Sequence, residues 1–142
     1  MSCSERKRRD AGLLPAIDRY NGPAFYVVRR YLREHESSGL LVYILSAEFG
    51  VISANKPIPH YDRRMTAHRA IELCEEVTET LKAILRQAHC KELFVCGSAM
   101  YKKAIVPSKL SPVVQVRYAA AGQGYKLRSL HCWLRKLENG DV

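Results

Sequence analysis

The sequence predicts an α/β fold: one layered domain with a short, largely parallel central sheet flanked by helices. Two observations predict it. Short apolar runs (LLVYILSA, KELFVCG and PVVQVRY) alternate with longer segments whose apolar residues recur at helical spacing. The chain is also long enough, at 142 residues with 47% hydrophobic content, to bury one core across residues 1–142 without leaving room for a second.

Taken in order, Arg6 to Arg9 is a charge run too polar for a core, so it reads as a loop or as part of a flexible basic tail over residues 1–12. Asn21-Gly22-Pro23 is a turn whose proline suits a first helical turn. A helix over about 23–36 then places Phe25, Val28 and Leu32 on one face, and Ser37-Ser38-Gly39 closes it. LLVYILSA is apolar almost throughout, as in a strand covered on both faces. The following stretch to Asp62 reads as a long loop. Thr66 is a cap for a five-turn helix with Ala67, Ala70, Ile71, Cys74, Val77, Leu81 and Ile84 inward and Glu72, Glu75, Glu76 and Glu79 outward. KELFVCG is a second buried strand, SAMYKKAI a short helix and PVVQVRY a third strand. After Gly122-Gln123-Gly124, a last helix turns Leu127, Leu130, Trp133, Leu134 and Leu137 inward and stops at Asn139-Gly140.

Several function classes drop out. No run of 18 apolar residues exists, and MSCSERKRRD leads into no apolar segment, so neither a membrane span nor a signal peptide is expected. The cytoplasm is the expected compartment. The five cysteines are scattered, without a CxxC pair or a histidine at finger spacing, so no metal or other cofactor is expected. Cys74, Cys90, Cys96 and Cys132 read as reduced thiols of ordinary packing type.

The net charge of +9 is segregated. Residues 1–33 carry eight Arg/Lys against three acids, 34–92 seven against nine, and 93–142 eight against two. No carboxylate falls between Glu92 and Glu138, a window holding Lys102, Lys103, Lys109, Arg117, Lys126, Arg128, Arg135 and Lys136. Clustered cations displace the counterions condensed on a phosphate backbone, so a polyanionic partner is expected, nucleic acid first.

In open α/β sheets ligands bind beyond the carboxyl ends of the strands. Ser46, Glu48 and Gly50 with the loop to Asp62 stand at one such end, and Gly97, Ser98 and Tyr101 at another; they are the candidate pocket walls. Ser46 has two readings, a strand terminator bonded to its own backbone or a pocket group. Asp62, beside Arg63 and Arg64, reads either as a salt-bridged turn or as a site acid. His60, His68 and His89 share no spacing and read as structural or surface residues. Cys3 is the one cysteine in electropositive surroundings, beside Arg6 and Lys7, which favours its thiolate if the segment is ordered. Gly122 and Gly124, opening a basic helix with Lys126 and Arg128, form either a plain loop or a phosphate seat.

Cys3-Ser4-x-x-Lys7, PAIDRYNGPAF, ILSAEFGVI with PHYD, VCGSAMY and GQGYKLRSLHCWL, in that order, resemble a small bacterial domain of unknown function. Its members open with a strand and Ser-Cys-x-x-Lys, and carry Leu-Ser-Ala-x-Tyr-Gly-Leu with Tyr-Asp beyond. That domain is similar in turn to the YaaA peroxide-stress family. The resemblance spans nearly the whole chain. It implies a cytosolic α/β domain linked to oxidative stress, DNA damage and DNA binding, and it places candidate residues at Cys3, Ser4, Lys7, Tyr20, Ser46, Gly50, Tyr61, Asp62, Gly122 and Gly124. Phe49 stands where the family has Tyr. Only Met1 and Ser2 precede Cys3, so the family's first strand is expected to be absent or replaced by a neighbouring chain.

Three functions follow in rank. The first is binding of nucleic acid, DNA ahead of RNA, through Arg6, Lys7, Arg8, Arg9, Lys102, Lys103, Gly122, Gly124, Lys126 and Arg128. The second is an enzyme acting on a nucleotide or base, glycosidase-like, with Asp62 as base or ion stabiliser, Tyr20 and Tyr61 holding the ring, and Ser46 and Cys3 in the pocket. The third is an interaction module, a homo-oligomer or a chain whose sheet a partner completes.

Overall fold

The computed structural model describes residues 1–36, 38–110 and 112–140. In chain order these form β1 (Leu14–Pro15), α1 (Ala16–Arg19), α2 (Pro23–Glu34), β2 (Tyr43–Ser46), β3 (Gly50–Ser53), β4 (Pro57–Ile58), α3 (Ala67–Gln87), β5 (Glu92–Val95), α4 (Ala99–Lys102), a 3-10 turn (Pro107–Lys109), β6 (Gln115–Tyr118) and α5 (Gln123–Glu138). The fold is mixed α/β. Ser37, in the turn expected to close the first helix, lies outside the described residues.

The long helices form where their spacing places them. Pro23 opens α2, where a missing N–H costs nothing, and the helix buries Phe25, Val28 and Tyr31, with Leu32 half-buried. Thr66 caps α3 by accepting the Arg69 N–H at 3.1 Å, a contact worth about 1 kcal/mol. The buried face of α3 is rotated from the expected one: Ala70, Leu73, Val77, Leu81 and Leu85 go inward, while Ile71 is 70% exposed. Apolar residues cover a broad arc of this helix, and packing against Leu45, Val51 and Leu93 selects which part faces in. In α5, Leu130 and Leu134 are buried, with Leu127, Trp133 and Leu137 half-buried beside them.

The ladders are smaller and less parallel than expected. Among the described residues the β2–β3 and β1–β4 ladders are antiparallel and the β5–β6 ladder is parallel. β3 and β4 occupy the stretch expected to be a loop. The reason is Gly50: its φ of +66° lets the chain reverse through Ala47–Phe49, so that Ser46 pairs with Gly50. A side chain at Gly50 would also collide with Glu76. β2 is covered on both faces as expected, with Ile44 packed among α2 and α5 side chains and Leu45 against α3.

The amino terminus is not a tail. Ser2 bridges Leu45 in parallel; the Cys3 N–H donates to Leu45 O at 3.0 Å, the Leu45 N–H to Met1 O at 2.7 Å, and the Ser2 N–H to Cys96 O at 2.9 Å. Met1–Cys3 is thus a short strand between β2 and the end of β5. Residues 6–12 are held by Arg19, which is fully buried. Its guanidinium donates to the carbonyls of Arg8 (2.8 Å), Asp10 (2.9 Å), Gly12 (2.6 Å) and Ile58 (3.3 Å). A buried cation must replace its lost water, and here backbone carbonyls do so, curling the basic run around the guanidinium fork.

Candidate functional site

Ser46 ends β2 and is buried. Its Oγ accepts the N–H groups of Glu48 (3.1 Å) and Phe49 (3.2 Å) and lies 2.8 Å from the Tyr61 hydroxyl. Both readings of Ser46 hold together: it closes the strand and it reaches a partner across the loop. With two amides on its lone pairs, its proton is left for Tyr61, and the Tyr61 and Tyr20 hydroxyls are hydrogen-bonded at 2.5 Å.

Burial pushes the Tyr20 phenol up to about 12, opposed by its hydrogen bonds with Ser46 and Tyr61. Tyr61 is raised further, by burial first and then by the Cys3 thiol. Both phenols are therefore neutral hydrogen-bonding groups across the physiological range.

Cys3 joins the same cluster. Its Sγ lies 2.8 Å from the Tyr101 hydroxyl, and Tyr101 sits on α4 just beyond the end of β5. Burial, then the adjacent thiol, raises the Tyr101 phenol. The ends of Met1–Cys3, β2 and β5 thus converge, bringing a thiol, a serine and three tyrosines together. Over this cluster Lys7 Nζ stands 4.6 Å from the Tyr61 ring centroid, and Phe49 meets the edge of the same ring at 5.1 Å.

Above the cluster opens a polar cleft of about 510 Å³. Arg6, Lys7, Arg9 and Arg64 form its cationic lining, and Tyr61, Asp62, Glu5, Asn21 and His60 complete it. Asp62 is exposed and makes no salt bridge among the described residues, so it is not the ion-paired turn that was one reading of it. Arg64 meets Glu5 at 3.4 Å, and Arg8 is turned away into a pair with Asp10 at 2.9 Å.

The other expected phosphate ligands stand outside the lining of this cleft. Lys102 donates to Ala119 O at 3.0 Å and lies 5.0 Å from the centroid of the Tyr118 ring, and Lys103 is exposed. Gly122 caps α5 at φ +87°; Gly124 has open space around it, Lys126 is half-buried and Arg128 is exposed. Sequence reasoning missed Arg19 and the rim position of Arg64, and it set His60 aside. Arg19 had no signal, since a single arginine beside an aspartate in a short helix reads as surface. Among the described residues no group of three or more His, Cys, Asp or Glu side chains is placed to hold a metal ion.

Across residues 1–132 the chain matches the model of a family described as Family of unknown function (DUF6884). The chain belongs to that family. No curated protein and no solved structure matches it. The matched region of this DUF6884 chain contains Cys3, Tyr20, Ser46, Tyr61 and Tyr101 as well as the cationic rim, and only the last turns of α5 lie beyond it. No helix among the described residues is long and apolar enough to cross a membrane.

Proposed function

We propose that this protein binds nucleic acid, DNA ahead of RNA, at the cleft above the Ser46–Tyr61–Tyr20 chain, as a cytoplasmic protein of YaaA-like type linked to oxidative stress or DNA damage. The observation that carries this reading is the convergence of Arg6, Lys7, Arg9 and Arg64 on a single cleft that Tyr61 also lines. Cations at a rim take phosphates, while a tyrosine ring and its neighbours offer a face and hydrogen bonds to a base. Lys126 and the exposed Arg128, near Gly122 and Gly124 at the start of α5, offer further cations outside the lining of this cleft. The test is a salt titration of binding to single- and double-stranded DNA and to RNA. Log affinity is expected to fall steeply and linearly with log salt, with DNA the tighter ligand; undetectable or salt-independent binding removes the reading.

The second reading is an enzyme acting on a nucleotide or base. It is favoured by Asp62, an exposed carboxylate that lines the cleft beside Tyr61 and has no ion-pair partner among the described residues. A nucleoside seated between the cationic rim and Tyr61 would place Asp62 to act as base or ion stabiliser. Asp62→Asn is expected to abolish turnover of a nucleotide library while leaving DNA affinity and melting temperature near wild type. Retained turnover takes Asp62 out of the chemistry.

A further inference from the structure

The cleft of about 510 Å³ has the size of a site for one small molecule, a class that runs from about 300 to 1,000 Å³. Proteins that follow a single strand along its length present instead a groove for about 4–16 nucleotides. Here Arg6, Lys7, Arg9 and Arg64 are gathered into one concave site, and Lys102, Lys103, Lys126 and Arg128 stand outside its lining. A strand crossing this cleft would find its cations at one place and not along a track.

The charge within the lining is mixed. With His60 counted neutral, four cations face two carboxylates, Glu5 and Asp62, which leaves a formal excess of two positive charges. That excess matches one phosphate monoester, which carries about −1.5 to −2 at pH 7 and offers three acceptor oxygens. A backbone diester carries one negative charge, and each further diester drawn through the cleft would add a charge beside Glu5 and Asp62.

The cations are also held in place. Lys7 bridges Tyr20 antiparallel, the Asn21 N–H donates to Arg6 O at 2.8 Å and the Arg8 N–H to Arg19 O at 2.8 Å, so residues 6–8 run as a fixed segment along residues 19–21. Among the described residues neither Arg6 nor Arg9 makes a salt bridge, whereas Arg8 is paired with Asp10 at 2.9 Å and Arg64 with Glu5 at 3.4 Å. Guanidinium forks on a fixed backbone give bidentate bonds to a phosphate at a reduced ordering cost.

We infer that the cleft takes the end of a nucleic-acid strand that carries a terminal phosphate monoester, and not a continuous stretch of backbone. The inference rests on the nucleic-acid reading of the same cleft and narrows its ligand to a phosphorylated end. Arg6 and Arg9 hold the terminal phosphate. Asp62, which has no ion-pair partner among the described residues, is left to accept from the amino or hydroxyl groups of the terminal nucleoside.

The test measures, by fluorescence anisotropy at fixed salt, binding of one short single-stranded DNA, labelled at an internal base, with hydroxyls at both ends, with a 5′-phosphate, with a 3′-phosphate, and closed into a circle. A phosphorylated form is expected to bind about tenfold tighter or more than the hydroxyl-ended strand and the circle, and the end that gains is the end the cleft takes. In Arg6→Ala/Arg9→Ala that ratio is expected to fall to near one with an unchanged unfolding temperature, while Lys126→Ala/Arg128→Ala, outside the cleft, keeps it. Equal affinity for phosphorylated, hydroxyl-ended and circular DNA overturns the inference and leaves the nucleic-acid reading standing; no binding to any form removes both. A preference that survives in Arg6→Ala/Arg9→Ala, or is lost in Lys126→Ala/Arg128→Ala, puts the phosphate elsewhere and also overturns it.

Discussion

The Ser46 hydroxyl and the Tyr61 hydroxyl are 2.8 Å apart, joined across the two-strand excursion of β3 and β4. The bond ties the end of a core strand to the residue beside Asp62 on the cleft, so loop position and strand termination depend on each other. Truncating Ser46 to Ala leaves the Glu48 and Phe49 amides and the Tyr61 phenol short of a partner, at an expected cost of about 2 kcal/mol. Tyr61→Phe is expected to cost about 1–2 kcal/mol by stranding Ser46 and Tyr20. Because the three hydroxyls form one chain, the double variant is expected to cost clearly less than the sum of the single ones; urea unfolding of all four proteins checks this, and additive losses would deny the chain.

Arg19 is the second keystone. Its fork is held by backbone oxygens of Arg8, Asp10, Gly12 and Ile58, and the cationic rim is built on that curl. Arg19→Met is expected to destabilise the protein by about 3 kcal/mol or more, because several buried carbonyls lose their donors at once. Arg19→Lys recovers only part of this, since an ammonium lacks the planar fork. Limited proteolysis within residues 6–12 is expected to accelerate in both variants, and unchanged cleavage would show that the curl stands without the guanidinium.

The rim residues are expected to differ in their effect on DNA. Arg6→Ala and Arg9→Ala should each reduce the slope of log affinity against log salt by about one unit, because each removes one phosphate contact. Arg8→Ala should change it far less, since its guanidinium is spent on Asp10 at 2.9 Å. Equal losses at positions 8 and 9, measured by fluorescence anisotropy over a salt series, would mean that the DNA reads net charge and not this cleft.

How far the sequence foretold all this depends on the range of the contacts. α2, α3, α5, β2, β5 and β6 are written in local spacing and in caps such as Pro23 and Thr66, so they were readable. β3 had a local signal as well, the glycine that ends the SAEFG turn, but the polar and proline-containing residues after it read as loop. The burial of Arg19, the docking of residues 1–12 and the pairing of Cys3 with Tyr101 were not readable, because each is a contact between segments whose separation hides any period. For the site, Ser46 and the loop carrying Tyr61 and Asp62 were singled out by their place beyond a strand end, Tyr20 by the family resemblance, and Arg6, Lys7 and Arg9 by the basic run they form. Lys102, Lys126 and Arg128, expected from the same charge segregation, do not line this cleft, since segregation along a chain does not say where the charges fold.

Stability should fall at alkaline pH through the phenols. Tyr20 titrates near 10 in the unfolded chain, and burial raises it to about 12 in the folded protein. The folded state therefore holds its proton more tightly than the unfolded state does, so the contribution is fully present below pH 10 and is lost as pH rises from about 10 to 12. A shift of about two units corresponds to roughly 2–3 kcal/mol, and Tyr61 and Tyr101, also raised by burial, act in the same direction. Unfolding free energy measured in urea at pH 9 and pH 11.5 is expected to drop in the wild type and to drop less in Tyr20→Phe, which has no phenol to ionise at that site. The comparison between the two proteins cancels the lysines, which lose their charge over the same range in both. An identical drop in the two would mean that the Tyr20 phenol ionises as readily in the fold as out of it, which the closed Ser46–Tyr61–Tyr20 chain does not permit.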